Sequence, residues 1–172
     1  GEGENAVFVS LKSSQFLMFK NRTFTGGSIS FKLKFDNKNY TNWTASGILF
    51  ASDTLQANHD TGSFYVAGSD PWNDFVTFAK DNGAFLWQDE GKAGGVVNET
   101  GRVYSLKFIW DSQNDLIHYF VDGVYMSTGT LNKGYTGQYL GIYSENAGLT
   151  ISNIIIDPAE TFTAPSVSGE TE

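Results

Sequence analysis

Tyr104 to Tyr125 reads YSLKFIWDSQNDLIHYFVDGVY, a strand, a polar turn, a return strand and a second turn. Tyr104, Leu106, Phe108 and Trp110 are large and apolar, while the intervening Ser105 and Lys107 are polar. That period of two marks a strand with one dry face and one wet face. Ile109 alone breaks the pattern. Asp111 to Asp115 supply turn chemistry, Leu116 to Val121 return as β-branched and aromatic residues, and Asp122-Gly123 opens the next turn. The alternating aromatics, Trp110 among them, are expected to pack in a core, so the hairpin is scaffold.

Working outward, Ile29, Phe31, Leu33 and Phe35 alternate with Ser28, Ser30, Lys32 and Lys34 in a second half-buried strand. Two edge strands are expected between Ala6 and Phe19, and a buried strand at Gly47–Ala51. From Gly62 the chain gives GSFYVAG, then SDPWND, then FVTFAKDNGAFLWQDEG, which is strand, loop, strand, Asn82-Gly83 hairpin turn and strand. Gln138–Tyr143 and Leu149–Ile156 close the domain, the last read as fully buried. No long segment has helical periodicity with caps. About a dozen short strands, with 19 glycines to serve their turns, predict an all-β fold, a two-sheet antiparallel β-sandwich of jelly-roll form. The domain is expected over residues 1–157, and the Pro, Ser, Thr and Glu bias of 158–172 reads as a linker or disordered tail.

Composition narrows the function. A chain of 172 residues without cysteine buries roughly 70% of its unfolded surface and needs no disulfide staple. Eleven Lys and Arg against 19 Asp and Glu give a net charge of −8, which opposes nucleic acid and anionic membranes. No apolar run approaches the roughly 20 residues of a membrane span, and the opening GEGENA lacks the features of a signal peptide. The chain therefore reads as one module of a larger multimodular protein.

Catalysis is not expected. The alternating carboxylates of a single-strand glycosidase motif are absent, Asp89 and Glu90 would point to opposite faces, and His59 and His118 lack triad or zinc-motif company. No cofactor is expected. Structural calcium stays open at Asp53, Asp70, Asn73 and Asp74 or at Asp111, Asn114 and Asp115, although Asx-turn chemistry explains those residues more simply.

Aromatic content of 15% exceeds what an aliphatic core would require, and this points to a glycan platform. A neutral sugar offers a flat C–H face and a rim of hydroxyls, so its binder combines Trp or Tyr with polar side chains. Asp70, Trp72, Asn73 and Asp74 hold that mixture in one loop, and Trp72 is the first choice of platform. Trp87 with Gln88 is second, with core packing an even alternative for Trp87; Trp43 is either a further platform or a lid over the core edge. Lys80, Tyr65 and Glu145 are weaker polar partners, each read first as a solvated surface residue.

The hairpin ending Val121-Asp122-Gly123 resembles that of concanavalin A-like and laminin G-like jelly rolls. With GILFASD, GSFYVAG, FVTFAKDNGAFLW, GRVYSLKFIW and YLGIYSENAGLTISNI in order, most of Gly26 to Ile156 looks like their carbohydrate-binding modules, especially family 66. The resemblance implies a non-catalytic, lectin-like module on a secreted or bacterial cell-surface protein. Family 66 includes modules attached to fructan hydrolases, which implies β-fructan as the neutral polysaccharide; the Trp and Tyr loops suit α-glucan, as in starch binding, equally. A protein-binding adhesin or spacer domain is the alternative, and a glycoside hydrolase domain the second. The sequons at Asn21, Asn39, Asn42 and Asn98 are read as chance products of an Asn- and Thr-rich chain.

Overall fold

The structure is a computed structural model, and it describes residues 9–12, 14–38, 44–86 and 98–165. Twelve strands are described: β1 (Val9–Leu11), β2 (Gln15–Thr23), β3 (Gly27–Lys38), β4 (Ala45–Ser52), β5 (Ser63–Ser69), β6 (Phe75–Asp81), β7 (Ala84–Leu86), β8 (Val103–Asp111), β9 (Leu116–Val121), β10 (Val124–Thr130), β11 (Tyr139–Glu145) and β12 (Ala147–Asp157). They form two six-stranded sheets. Sheet A runs β1-β12-β3-β8-β9-β10 and sheet B runs β2-β11-β4-β5-β6-β7, each pairing antiparallel. The expected jelly-roll sandwich is what forms.

The opening hairpin contributes β8, β9 and the start of β10 to sheet A. Asp122 and Gly123 sit at φ 51° and 80°, and Asn82 and Gly83 at 44° and 95°. Positive φ at both central residues is the type I′ geometry whose twist matches that of the strands it joins. Both predicted turns are therefore hairpin turns of the expected kind.

Alternation sorts the side chains by face. Ile29, Phe31, Leu33, Phe35, Tyr104, Leu106, Phe108 and Trp110 point inward from sheet A, meeting Ile48, Phe50, Tyr65, Ala67, Leu140 and Ile142 from sheet B in one buried cluster. Phe24 stands edge-on to Phe50 and Phe108, with centroids 6.1 Å away in each case, and Trp110 closes the group at 5.8 Å. Trp110 is core, as expected. Its removal, like that of Phe108, would cost about 3–5 kcal/mol by lost transfer energy and cavity formation.

Both outer faces depart from the simplest wet-face reading. Sheet B carries a second buried apolar cluster outside, with Leu49, Phe64, Val66, Val76, Phe78 and Tyr143. On sheet A, Ile109 and His118 are buried on the face where lysines and serines were expected to meet water. The covering comes from residues that follow β12. Glu160 accepts hydrogen bonds from Ser28 Oγ at 2.6 Å and Lys107 Nζ at 2.8 Å, and Phe162 packs on His118, Phe120 and Tyr125. Glu160 and Phe162 thus pack on the outer face of sheet A. β12 itself is not fully buried as read, since Ser152, Asn153 and Ile155 are at least partly exposed around a bulge.

Candidate functional site

β5 and β6 pair from Ser63↔Asp81 to Ser69↔Phe75, and the five residues between their inner ends make a tight turn. Asp70 organises it from within: its buried Oδ1 accepts the backbone N–H of Trp72 at 2.9 Å and of Asp74 at 3.0 Å. Backbone bonds from Asp70 N to Asp74 O and from Asn73 N to Asp70 O, both 3.1 Å, close the loop. Pro71 fixes its own φ, and Asn73 takes φ 67°, a left-handed conformation that Asn tolerates better than most residues. Beneath the turn, Gly47 faces Gly68 so closely that a Cβ on Gly68 would overlap the Ser46 carbonyl. The result is a platform with Trp72 at its apex, 62% exposed.

Two further residues clamp the turn from outside. Asn98, 4% exposed, donates from Nδ2 to Ser69 Oγ and to Asn73 O, each at 2.7 Å, and its backbone N–H donates to Asn73 O at 2.9 Å. Lys38, at the end of β3, donates from Nζ to Asn73 Oδ1 at 3.0 Å and to Asn98 O at 3.3 Å, and lies 4.5 Å above the Phe35 ring. Burial of this amine lowers its pKa to about 8, because a charged group loses hydration there. Neither clamp is evident in the sequence: Lys38 looks like one more loop charge, and Asn98 like a sequon. Its buried, doubly donating amide makes Asn98 a structural residue rather than a glycan acceptor.

The candidate residues therefore divide. Trp72 is displayed, and Asp74 is half-buried beside it without a side-chain hydrogen bond among the described residues. Asp70 and Asn73 position the turn, Asp70 with no exposed surface and Asn73 with its Oδ1 taken by Lys38. Trp43, Trp87 and Gln88 lie outside the described residues.

Three polar residues read first as surface groups are buried. Tyr65 lies in the inter-sheet core, 5.5 Å from Phe50 and 4.9 Å from Tyr135 by ring centroid. Its alternation with Phe64 and Val66 puts it on the inner face of β5. Lys80 is covered on the outer face of sheet B, where Nζ donates to the His59 carbonyl at 2.9 Å and sits over the Phe85 ring. Glu145 is engaged by Tyr143 OH at 3.0 Å, His59 Nε2 at 3.2 Å and Ser14 Oγ at 3.3 Å. These groups pin the loop before β5 onto sheet B.

Among the residues considered for calcium, Asp70 and Asp111 accept hydrogen bonds within their own turns. Asp111 accepts the N–H groups of Gln113 and Asn114 and the Asn114 side-chain amide, and these bonds hold its carboxyl below the usual range. Among the described residues no three acidic or imidazole side chains are placed to share a metal ion.

No protein-family model and no curated protein sequence matches the chain. Solved structures do. The carbohydrate-binding module CBM66 of Bacillus subtilis aligns over 86% of this chain and 93% of its own, with TM-score 0.57 and 12% identity. The galectin LEC-6 of Caenorhabditis elegans aligns over 88% and 96%, with TM-score 0.53 and 12% identity. A heptameric SAP-like pentraxin of Limulus polyphemus aligns over 86% and 73%, with TM-score 0.54 and 11% identity. At such identities the likeness establishes the fold alone, a two-sheet jelly-roll sandwich.

Proposed function

We propose that this chain is a non-catalytic carbohydrate-binding module that attaches a secreted or bacterial cell-surface protein to a neutral polysaccharide, an α-glucan or a β-fructan. The observation that carries the reading is Trp72, a large ring left 62% exposed at the apex of a turn that buried groups hold in place. Hiding an aromatic ring normally stabilises a domain, so a ring held out to solvent on a rigid support suits stacking on a sugar face. Asp74 supplies the adjacent acceptor for sugar hydroxyls. Pre-ordering of the turn lowers the entropy that binding would otherwise cost. Two of the similar structures, a carbohydrate-binding module and a galectin, support a sugar ligand by analogy of fold, which does not fix function by itself.

Affinity is expected between millimolar and micromolar, on the order of 4–8 kcal/mol. Affinity electrophoresis through starch, levan, inulin, xylan and β-glucan tests it, with calorimetry on any gel that retards the chain. Trp72→Ala should lose at least tenfold in affinity while keeping the melting temperature. Retardation by no glycan, or undiminished binding by Trp72→Ala, would overturn the assignment. Release of reducing sugar from the same polymers would replace it with the hydrolase reading.

A further inference from the structure

The segment that follows β12 is held to sheet A by side chains. Its own backbone N–H groups turn back on Asp157, Glu160 N donating to the Asp157 carbonyl at 3.3 Å and Ala159 N to the Asp157 carboxylate at 3.0 Å. Attachment comes from two anchors two residues apart. The Glu160 carboxylate is divided between Ser28 Oγ on β3 and Lys107 Nζ on β8. The Phe162 ring meets His118, Phe120 and Tyr125 on β9 and β10, with centroids 5.1, 5.0 and 5.0 Å away.

The receiving groups are pre-set. Thr128 Oγ1 lies 2.7 Å from both His118 Nδ1 and Tyr125 OH, which fixes two of the rings, and Lys107 Nζ lies 4.9 Å over the third, Phe120. Open space adjoins the receiving residues, and one of two grooves is lined by the segment itself. A groove of about 380 Å³, lined by Ser30, Lys32, Ser105 and Phe120, lies toward the Lys32 end of sheet A. A second, of about 450 Å³, lies between the segment and the Asp111–Asn114 turn.

We infer that the outer face of sheet A is a two-point recognition site for a carboxylate-x-aromatic peptide, filled here by the chain's own Glu160 and Phe162, and able to take the same segment from a second copy. Charge and shape both commit the site to this occupant. Lys107 and Ser28 are a cation and a hydroxyl at the spacing of one carboxylate, and the ring cluster is a cleft for one further ring. Because the segment follows β12 directly, its effective concentration at its own site is of millimolar order or above, so a free peptide competes only once the anchors are removed. Exchange of the strap between two copies would then link them through a small element, a known route to dimers. The receiving groups all lie on sheet A, away from Trp72 on the β5–β6 turn of sheet B, so the two sites stand or fall separately.

The test uses the full chain carrying Glu160→Ala and Phe162→Ala, and a fluorescein-labelled peptide of residues 157–165. Fluorescence anisotropy should show saturable binding to the variant and at least tenfold weaker binding to the unsubstituted chain. Adding Lys107→Met to the variant, or Ala at either anchor of the peptide, should weaken binding at least tenfold. If the double variant does not fold, Phe162→Ala alone carries the measurement. Failure of the folded variant to bind, or binding indifferent to Lys107 and both peptide anchors, would overturn the inference.

Discussion

The Asn98 side-chain amide donates to Ser69 Oγ and to the Asn73 carbonyl, each at 2.7 Å, so both ends of the turn that displays Trp72 are gripped by one buried residue. Asn98 stands between β7 and β8, far from that turn in sequence. Its importance is therefore a property of the fold. Asn98→Ala would remove the donor to Ser69 Oγ, which keeps only its own bond to the Asp70 carbonyl, and one of the donors to the Asn73 carbonyl, in a dry environment, at a cost of about 1–3 kcal/mol. Urea denaturation should show that loss. Glycan affinity should also fall, although Asn98 is not itself displayed, and the intact chain expressed in a eukaryotic secretory route should carry no glycan at Asn98.

Lys38 gives the domain a stability that increases into the alkaline range. Its amine titrates near 8 in the folded state and near 10.5 when free, so between those values the unfolded chain binds more protons. Stability must then rise with pH across that window, because the penalty of holding a buried charge is present below pH 8 and relieved above it. Urea midpoints at pH 7.5, 9 and 10 should climb in the intact chain. Lys38→Met, which keeps the stem over Phe35, should flatten that climb; an unchanged slope would remove Lys38 as its source.

The sheets were legible because period-two alternation and paired positive-φ turn residues are local signals. Ile29 to Phe35 and Tyr104 to Trp110 alternate cleanly, and Asn82-Gly83 and Asp122-Gly123 fall where the strands reverse. What alternation could not separate was a wet outer face from a covered one. Tyr65 pairs with Ala79 and points into the core, while Lys80 pairs with Phe64 on the outer face and is nevertheless buried, beneath the His59 loop. A signal for the covering of sheet A was nevertheless present. Ile109, the residue that broke the alternation of β8, marks the patch beneath the strap, and His118 stands opposite it in register. The site was legible only at Trp72, where a proline and Asx residues surround a tryptophan with no core position to fill. Asn98 and Lys38 act through distances in space that no sequence pattern encodes.

Tyr119 offers a gain in stability. Its ring is in the inter-sheet core, but its hydroxyl is buried without a hydrogen-bond partner among the described residues, and that burial pushes its pKa upward. A buried polar group left unpaired costs about 1–3 kcal/mol, whereas the ring alone packs favourably. Tyr119→Phe should therefore raise the urea midpoint, with a gain on the order of 1 kcal/mol and no change in the denaturant slope. A lower midpoint would show that the hydroxyl has a partner or that its loss leaves a cavity.

The strap should loosen in acid before the core does. Hydrogen bonds from Lys107 and Ser28, in that order, hold the Glu160 carboxyl below its ordinary value near 4.5. Its contribution is therefore fully present above the unfolded value and is lost as pH falls through the lower folded one. Protonation removes the charge facing Lys107 and leaves Phe162 as the remaining anchor, while the cluster around Phe24, Phe50 and Trp110 contains no group that titrates there. Amide exchange should report faster opening at Ile109 and His118 below pH 4, with the inner-face amides of β3 still protected. Glu160→Gln should bring that opening to neutral pH. Its effect on global stability should stay within about 1 kcal/mol, since an ion pair 34% and 31% exposed is still partly screened by water and contributes little to overall unfolding. Simultaneous exposure of strap and core in both measurements would mean that the segment is an inseparable part of the fold.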